Sequence, residues 1–132
     1  MSQENVELVR NIHDAWARGE SPASLGLLHP DIEWVNPEGA LEPGTRRGLD
    51  SFDGAFAAMS EAFEWIRIEP REFLDAGDQV VVLATFIARG RGSGAERQNE
   101  DGYLWTMREG RAVQFRWFND PDKALEAAGL KE

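Results

Sequence analysis

The chain has 132 residues, of which 42% are hydrophobic and 29% are charged; it has no cysteine, and its formal net charge is −10. This is the size and composition of one globular domain, which can bury a core without disulfides. Because like charges repel, the excess of acidic residues disfavours nucleic acid and anionic membrane surfaces as partners. No signal-peptide pattern and no apolar stretch of ~20 residues is found, so a cytoplasmic protein is expected.

The first half of the sequence predicts helices with one strand among them. Apolar residues recur every three or four positions over Ser2–Gly19, which predicts an amphipathic helix that ends at the glycine. A serine followed by a proline begins a short second helix over Ser21–Pro30. Alternating residues over Asp31–Asn36 predict a strand. A third helix is predicted over about Leu49–Phe63, where aromatic residues share one face.

The second half changes to the period of two that is typical of strands. The short turns between these strands imply antiparallel pairing, and Asp120-Pro121 predicts the start of a final short helix. The whole chain, residues 1–132, is therefore expected to form one α+β domain with helices on one face of an antiparallel sheet. The four predicted strands are Trp65–Leu74, Gln79–Ile87, Asn99–Met107 and Ala112–Asn119.

A polar loop rich in proline and glycine, Pro37–Arg47, follows the first predicted strand. Long irregular loops are uncommon in compact domains, and many of them are lids or binding loops. We expect this loop to cover the mouth of a pocket that the strand lines. The alternative is a loop that is merely solvated.

Six short segments occur in a fixed order along nearly the whole chain: WARGE (Trp16–Glu20), LHPDIEW (Leu28–Trp34), RRGLDSF (Arg46–Phe52), AGDQVVVL (Ala76–Leu83), YLWTMREGR (Tyr103–Arg111) and FNDPDKALEAAGL (Phe118–Leu130). Together they resemble the SnoaL-like polyketide cyclase family, within the nuclear-transport-factor-2-like superfamily that includes ketosteroid isomerase and scytalone dehydratase. The resemblance implies a cone-shaped, cystatin-like α+β barrel, in which a curved antiparallel sheet wraps around the long N-terminal helix and leaves a pocket at its open end. It implies no single activity, because this fold hosts several kinds of enzyme and non-catalytic proteins.

Strand alternation sorts the aromatic side chains into two faces. We assign the more aromatic face of each of the last two strands to the concave side of the sheet. With residues from the helices and the first strand, these faces predict an apolar pocket with a few polar groups, as is usual for small-molecule sites. The alternative is that the rings simply fill the core. The predicted ligand-binding residues are Trp16, Trp34, Asn36, Phe56, Trp105, Phe115, Trp117 and Asn119.

Three side chains are candidates for acid/base catalysis in this pocket. Asp101 is expected to face inward, where burial beside aromatic rings would raise its pKa and make it a usable base. The alternative is a carboxylate at the rim, paired with Arg89 or Arg97. Either Tyr103 or His13, on the first helix, would supply the proton, unless His13 lies idle and partly exposed at the helix flank.

The first predicted strand departs from one pattern of the superfamily. Relatives that resemble ketosteroid isomerase carry an aspartate base just before a proline, and the matching residue here is Asn36. An amide cannot abstract a proton, although it can orient a ligand carbonyl or hydroxyl. Two hypotheses follow. The first is an enzyme for cofactor-independent cyclisation, dehydration or isomerisation of a small apolar or polyketide-like molecule, and the second is a non-catalytic binding or interaction module.

Neither a metal nor a cofactor is expected. Two histidines without cysteine give no zinc-binding pattern, and no glycine-rich phosphate loop follows a strand and opens a helix. The expected partners are a small apolar ligand and a second copy of the chain. The resemblance implies a homodimer through the convex face of the sheet, where Gln114, Arg116 and Phe118 are predicted to lie.

Overall fold

A computed structural model describes residues 2–20, 25–37, 39–40 and 44–131, apart from the side chains of Ser2 and Phe56. Among these residues, no helix is both long and apolar enough to cross a membrane. The described chain forms three helices and six strands: α1 (Ser2–Ala17), β1 (Leu28–Asn36), β2 (Gly44–Arg47), α2 (Asp50–Ala62), β3 (Phe63–Ala76), β4 (Gln79–Gly90), β5 (Glu96–Arg108), β6 (Arg111–Phe118) and α3 (Pro121–Ala127).

The six strands form one open sheet in the order β2-β1-β6-β5-β4-β3, and the α+β class is confirmed. Neighbouring strands pair antiparallel with one exception. Strands β1 and β6 run parallel, with Trp34 opposite Phe115, so the sheet is mixed rather than purely antiparallel. No short turn links these two strands, and their direction is therefore not constrained as it is in a hairpin.

The ends of the first and last helices confirm the local predictions. Gly19, just after α1, has a φ of +79°, a left-handed conformation that glycine adopts without steric cost. Asp120 caps α3, because its carboxylate accepts a hydrogen bond from the backbone N–H of Asp122 at 2.9 Å. Pro121 occupies the first turn, where its missing N–H costs no hydrogen bond.

The segment between α1 and α2 differs from the prediction. The start of the predicted second helix, residues 21–24, lies outside the described residues, and its end is wrong because Leu28–Pro30 belong to β1. The Leu27 carbonyl accepts a hydrogen bond from the Ala112 N–H at 2.8 Å, so pairing with β6 overrides the local helical pattern. The predicted loop is wrong at its end, where Gly44–Arg47 forms β2. Residues 38 and 41–43 of that loop lie outside the described residues.

Helices α1 and α2 lie on the concave face of the sheet, and the main core lies between this face and the two helices. Val9 and Ile12 of α1, Phe52 of α2 and Trp105 of β5 are fully buried there. Burying one such side chain stabilises the fold by about 1.5–3 kcal/mol relative to leaving it in water. The site described below lies beside this apolar block.

A smaller apolar cluster lies on the convex face, where α3 packs against β4 and β5. Ala124 of α3 fits against Gly102, since a Cβ at Gly102 would stand only 2.6 Å from the Ala124 Cβ. Phe118 packs partly against the same cluster. Part of the convex face is thus covered from within the chain, and the homodimer through this face stays a prediction.

Candidate active site

A cavity of about 610 Å³ lies between the concave face of the sheet and α2. Ala55, Ala58 and Met59 of α2 form one side, and β1, β6 and β5 form the other. This volume is within the range of small-molecule sites, about 300–1,000 Å³. Among the described residues, the charged, amide and phenol side chains that line it are Asn36, Arg46, Arg97, Asn99, Asp101, Tyr103 and Asn119.

The structure places most of the predicted ligand-binding residues on the walls of this cavity. Trp105 is not among its lining residues, because it is fully buried behind Phe115, with 4.5 Å between the two ring centroids. The side chain of Phe56 lies outside the described residues. That these residues bind a ligand stays a prediction. The predicted residues that line the cavity are Trp16, Trp34, Asn36, Phe115, Trp117 and Asn119.

Sequence reasoning missed three polar residues of the cavity, Arg46, Arg97 and Asn99. Two of them could have been found. Arg97 and Asn99 precede Asp101 at alternate positions of β5, and alternate residues of a strand share a face. Arg46 could not have been placed, because β2 itself was not predicted.

Asp101 is a buried carboxylate in the cavity wall, with 5% of its surface exposed. Its Oδ2 accepts a hydrogen bond from the Tyr103 hydroxyl at 3.2 Å, and its Oδ1 accepts one from the Asn99 amide. Burial raises the pKa of Asp101, whereas the two hydrogen bonds and the charge of Arg97 offset part of this rise. The result is a carboxyl group that is held in one orientation and is more basic than an exposed aspartate.

The alternative of a carboxylate paired at the rim does not fit the observed contacts. Arg89 pairs with Glu64, with its Nε 3.4 Å from the carboxylate, and not with Asp101. Arg97 lies on the same face of β5 as Asp101 and lowers its pKa through charge, yet the two side chains form no ion pair. Asp101 is therefore held by neutral hydrogen-bond donors.

Tyr103 lines the cavity beside Asp101 and is itself buried. Burial raises the pKa of its hydroxyl well above 10, and the neighbouring Asp101 carboxylate raises it further. Since the phenolate is so disfavoured, Tyr103 keeps its proton and acts as a hydrogen-bond donor to the carboxylate.

His13 lies in the aromatic core rather than exposed at the helix flank. The residue is 4% exposed, and its Nε2 accepts a hydrogen bond from the Trp105 indole N–H at 3.1 Å. Burial lowers the pKa of His13 to about 3. A neutral imidazole whose Nε2 already accepts a hydrogen bond is poorly suited to give up a proton, and His13 is not among the residues that line this cavity. The geometry therefore favours Tyr103 over His13 as the partner of Asp101.

Asn36 fixes two tryptophans of the cavity wall. The parallel register that places Trp34 opposite Phe115 also brings Asn36 level with Trp117 on the same face. The Asn36 Oδ1 accepts hydrogen bonds from both indole N–H groups, each at 2.6 Å. This pair of donors requires the amide oxygen to face the indoles, so the orientation of the amide is determined by its contacts.

A second depression, with a volume of about 830 Å³, lies between α1, the end of α2 and β3. It contains more charged groups, but several are already neutralised by neighbours. In the described parts of the chain, no group of three or more histidine or acidic side chains is placed to hold a metal ion. The ion pairs at this depression include Glu20–Arg18, Glu64–Arg89 and Glu69–Arg67.

An open α+β sheet with two helices and a cavity on its concave face is the architecture of nuclear-transport-factor-2-like domains. The family described as the SnoaL-like domain matches residues 9–115, and the chain belongs to this family. No curated protein matches the chain at a significant level.

Solved structures share the fold over nearly their whole length. An NTF2-like protein of unknown function from Burkholderia pseudomallei is 27% identical, with 93% of this chain and 95% of that chain covered and a TM-score of 0.79. TerC, co-crystallised with polyporic acid, is 28% identical, with coverage of 96% and 98% and a TM-score of 0.79. A candidate SnoaL-like polyketide cyclase from Jannaschia sp. CCS1 is 20% identical, with coverage of 99% and 95% and a TM-score of 0.76, and it shows the common fold alone.

Proposed function

We propose that the protein binds a small, mostly apolar ring compound in the cavity and catalyses a cofactor-independent proton transfer that leads to cyclisation, dehydration or isomerisation. The observation that carries this proposal is a buried carboxylate, Asp101, in a cavity walled by aromatic rings. TerC, a relative of similar length, was co-crystallised with polyporic acid, which supports a small-molecule site in this fold.

The aromatic walls would hold the body of the ligand. Trp34 and Phe115 meet with 4.7 Å between their ring centroids, and Trp117 completes the wall on β6. Because Asn36 ties Trp34 and Trp117 together, the indole planes are set before a ligand enters. Flat, fixed rings favour a planar ligand through stacking and edge contacts.

In the proposed reaction the ionised Asp101 takes a proton from a carbon next to a carbonyl group. Asn99 and Tyr103 hold the two carboxylate oxygens, so the base is oriented before the reaction begins. The proton then returns to the same molecule: to another carbon in an isomerisation, to the new alkoxide in an aldol-type cyclisation, or to the departing hydroxyl in a dehydration. The balance of atoms requires neither an oxidant nor a reductant.

A second candidate function is ligand binding without turnover. It is favoured by Asn36, which occupies the place on the first strand where a base is expected from the resemblance and whose oxygen already accepts two indole N–H groups. In this case Asp101 and its partners would recognise a polar group of the ligand and would not transfer a proton.

The test compares Asp101→Asn with Asp78→Asn, a control that removes one carboxylate from an exposed turn between β3 and β4. Binding of a panel of aromatic ketones and polyketide-like compounds is followed by tryptophan fluorescence, and turnover is followed by chromatography. We expect Asp101→Asn to keep binding and to lose roughly 100- to 10,000-fold in turnover, while the control keeps both. Compounds that bind the wild-type protein but are never converted would establish the second candidate instead.

A further inference from the structure

The cavity and the rest of the chain differ in charge. The sequence has 24 acidic residues and 14 lysines and arginines. Among the described residues that line the cavity, the balance is reversed: Asp101 is the one carboxylate, whereas Arg46 and Arg97 are both cationic. A cavity that is more positive than the surface around it favours a ligand with a negative charge.

Arg97 is the cation that is available to such a ligand. Its side chain is exposed at the cavity, and within the described part of the chain it makes neither an ion pair nor a hydrogen bond. Among the described residues, half of the twelve arginines pair with an acidic side chain, and Arg97 is not one of them. The arginines that pair with an acidic side chain are Arg10, Arg18, Arg47, Arg67, Arg71 and Arg89.

The spacing along β5 fits a ligand with an acidic group at one end. Arg97 and Asp101 share a face of the strand and are four residues apart, which corresponds to about 13 Å along the backbone. The long arginine side chain can cover part of this distance, and what remains is about the length of one or two fused rings. The guanidinium fork of Arg97 matches a carboxylate in shape as well as in charge.

We propose that the ligand is an aromatic carboxylate, whose acidic group is bound by Arg97 at the rim of the cavity and whose rings lie among the tryptophans near Asp101. This inference rests on the proposed function, because it names the chemical class of the ligand for the same cavity. Arg97 is a specificity-determining residue in this scheme and takes no part in proton transfer.

The test uses two pairs of compounds that differ in charge and hardly in shape: benzoate with benzamide, and 2-naphthoate with 2-naphthamide. Affinities are measured by calorimetry at low salt, because salt screens exposed charges. Wild type is compared with Arg97→Gln and with Arg108→Gln, a control that removes one exposed arginine at the other end of β5 and changes the net charge equally. We expect wild type and the control to bind the acids about three- to fivefold more tightly than the amides, and Arg97→Gln to lose this preference.

The outcomes separate the inference from the proposed function. Equal affinity of wild type for acid and amide would overturn the inference and leave the cavity as a site for neutral compounds. An equal loss of both affinities in Arg97→Gln would also overturn it, because the side chain would then act through packing and not through charge. Failure of wild type to bind any of the four compounds would count against both the inference and the proposed site.

Discussion

His13 offers a test of whether its side chain is buried in the aromatic core, because burial in the folded protein keeps the imidazole neutral. The imidazole is enclosed by Trp16, Phe73, Tyr103 and Trp105, with ring centroids 5.0–5.9 Å away. Replacing His13 by Gln keeps a side-chain acceptor for the Trp105 N–H but removes the group that titrates. The comparison of wild type with His13→Gln therefore isolates the cost of protonation.

The sign and size of the effect follow from the two pKa values of His13. The folded value is about 3 and the unfolded value about 6.5, so between these limits the unfolded chain binds a proton that the folded chain does not. Stability is therefore intact above pH 6.5 and falls as the solution becomes more acidic, by about 1.4 kcal/mol for each pH unit. At pH 5 the wild-type protein should have lost about 2 kcal/mol through this residue alone.

The assay is urea unfolding at pH 7 and at pH 5, followed by tryptophan fluorescence. The loss of unfolding free energy between the two pH values should be about 2 kcal/mol larger in wild type than in His13→Gln, since carboxylates contribute equally to both. If the two proteins lost the same free energy, His13 would not be buried in its neutral form. The assignment of His13 to the aromatic core would then be refuted.

Two further substitutions test the packing of α3 and the tryptophan wall. Gly102→Ala places a methyl group against Ala124 and should lower the free energy of unfolding by about 1–3 kcal/mol, whereas Gly39→Ala, whose methyl group meets no atom within 4 Å, should be nearly neutral. Equal melting temperatures of the two variants would contradict the docking of α3. Asn36→Leu leaves two indole N–H groups without their acceptor and should lower the free energy of unfolding by about 1–3 kcal/mol, whereas Asn36→Asp keeps the acceptor and should lower it less. An Asn36→Leu variant as stable as wild type would contradict the shared hydrogen bonds.

The helix ends and hairpins could be predicted because their signals are local. Gly19 and Asp120-Pro121 act through their own backbone conformation and hydrogen bonds, which neighbouring residues determine. The parallel pairing of β1 with β6 could not be predicted in this way, because it joins segments about 80 residues apart and depends on tertiary contacts. The same dependence explains why β2 was predicted as loop.

The sequence could predict which face of a strand each side chain of the candidate site lies on, but not how deeply that side chain is buried. Alternation places Tyr103 and Trp105 on one face of β5, and both point toward the concave side. Alternation does not reveal that Tyr103 reaches the cavity whereas Trp105 is covered by other rings. His13 shows the same limit, because helical periodicity indicates a face of α1 but not how far the sheet extends over it.

The burial of the side chains increases along one face of β5, and the residues of the site are arranged along this gradient. On one face of β5 the side chains pass from an exposed cation, Arg97, through Asn99 and the buried Asp101 to Tyr103 and the fully enclosed Trp105. A ligand with one charged and one apolar end has its lowest free energy when its charge lies at the exposed end and its rings at the buried end. Asp101 stands between these two ends. The carbon that loses a proton is therefore expected in the middle of the ligand, between its acidic group and its innermost ring, and not at either end.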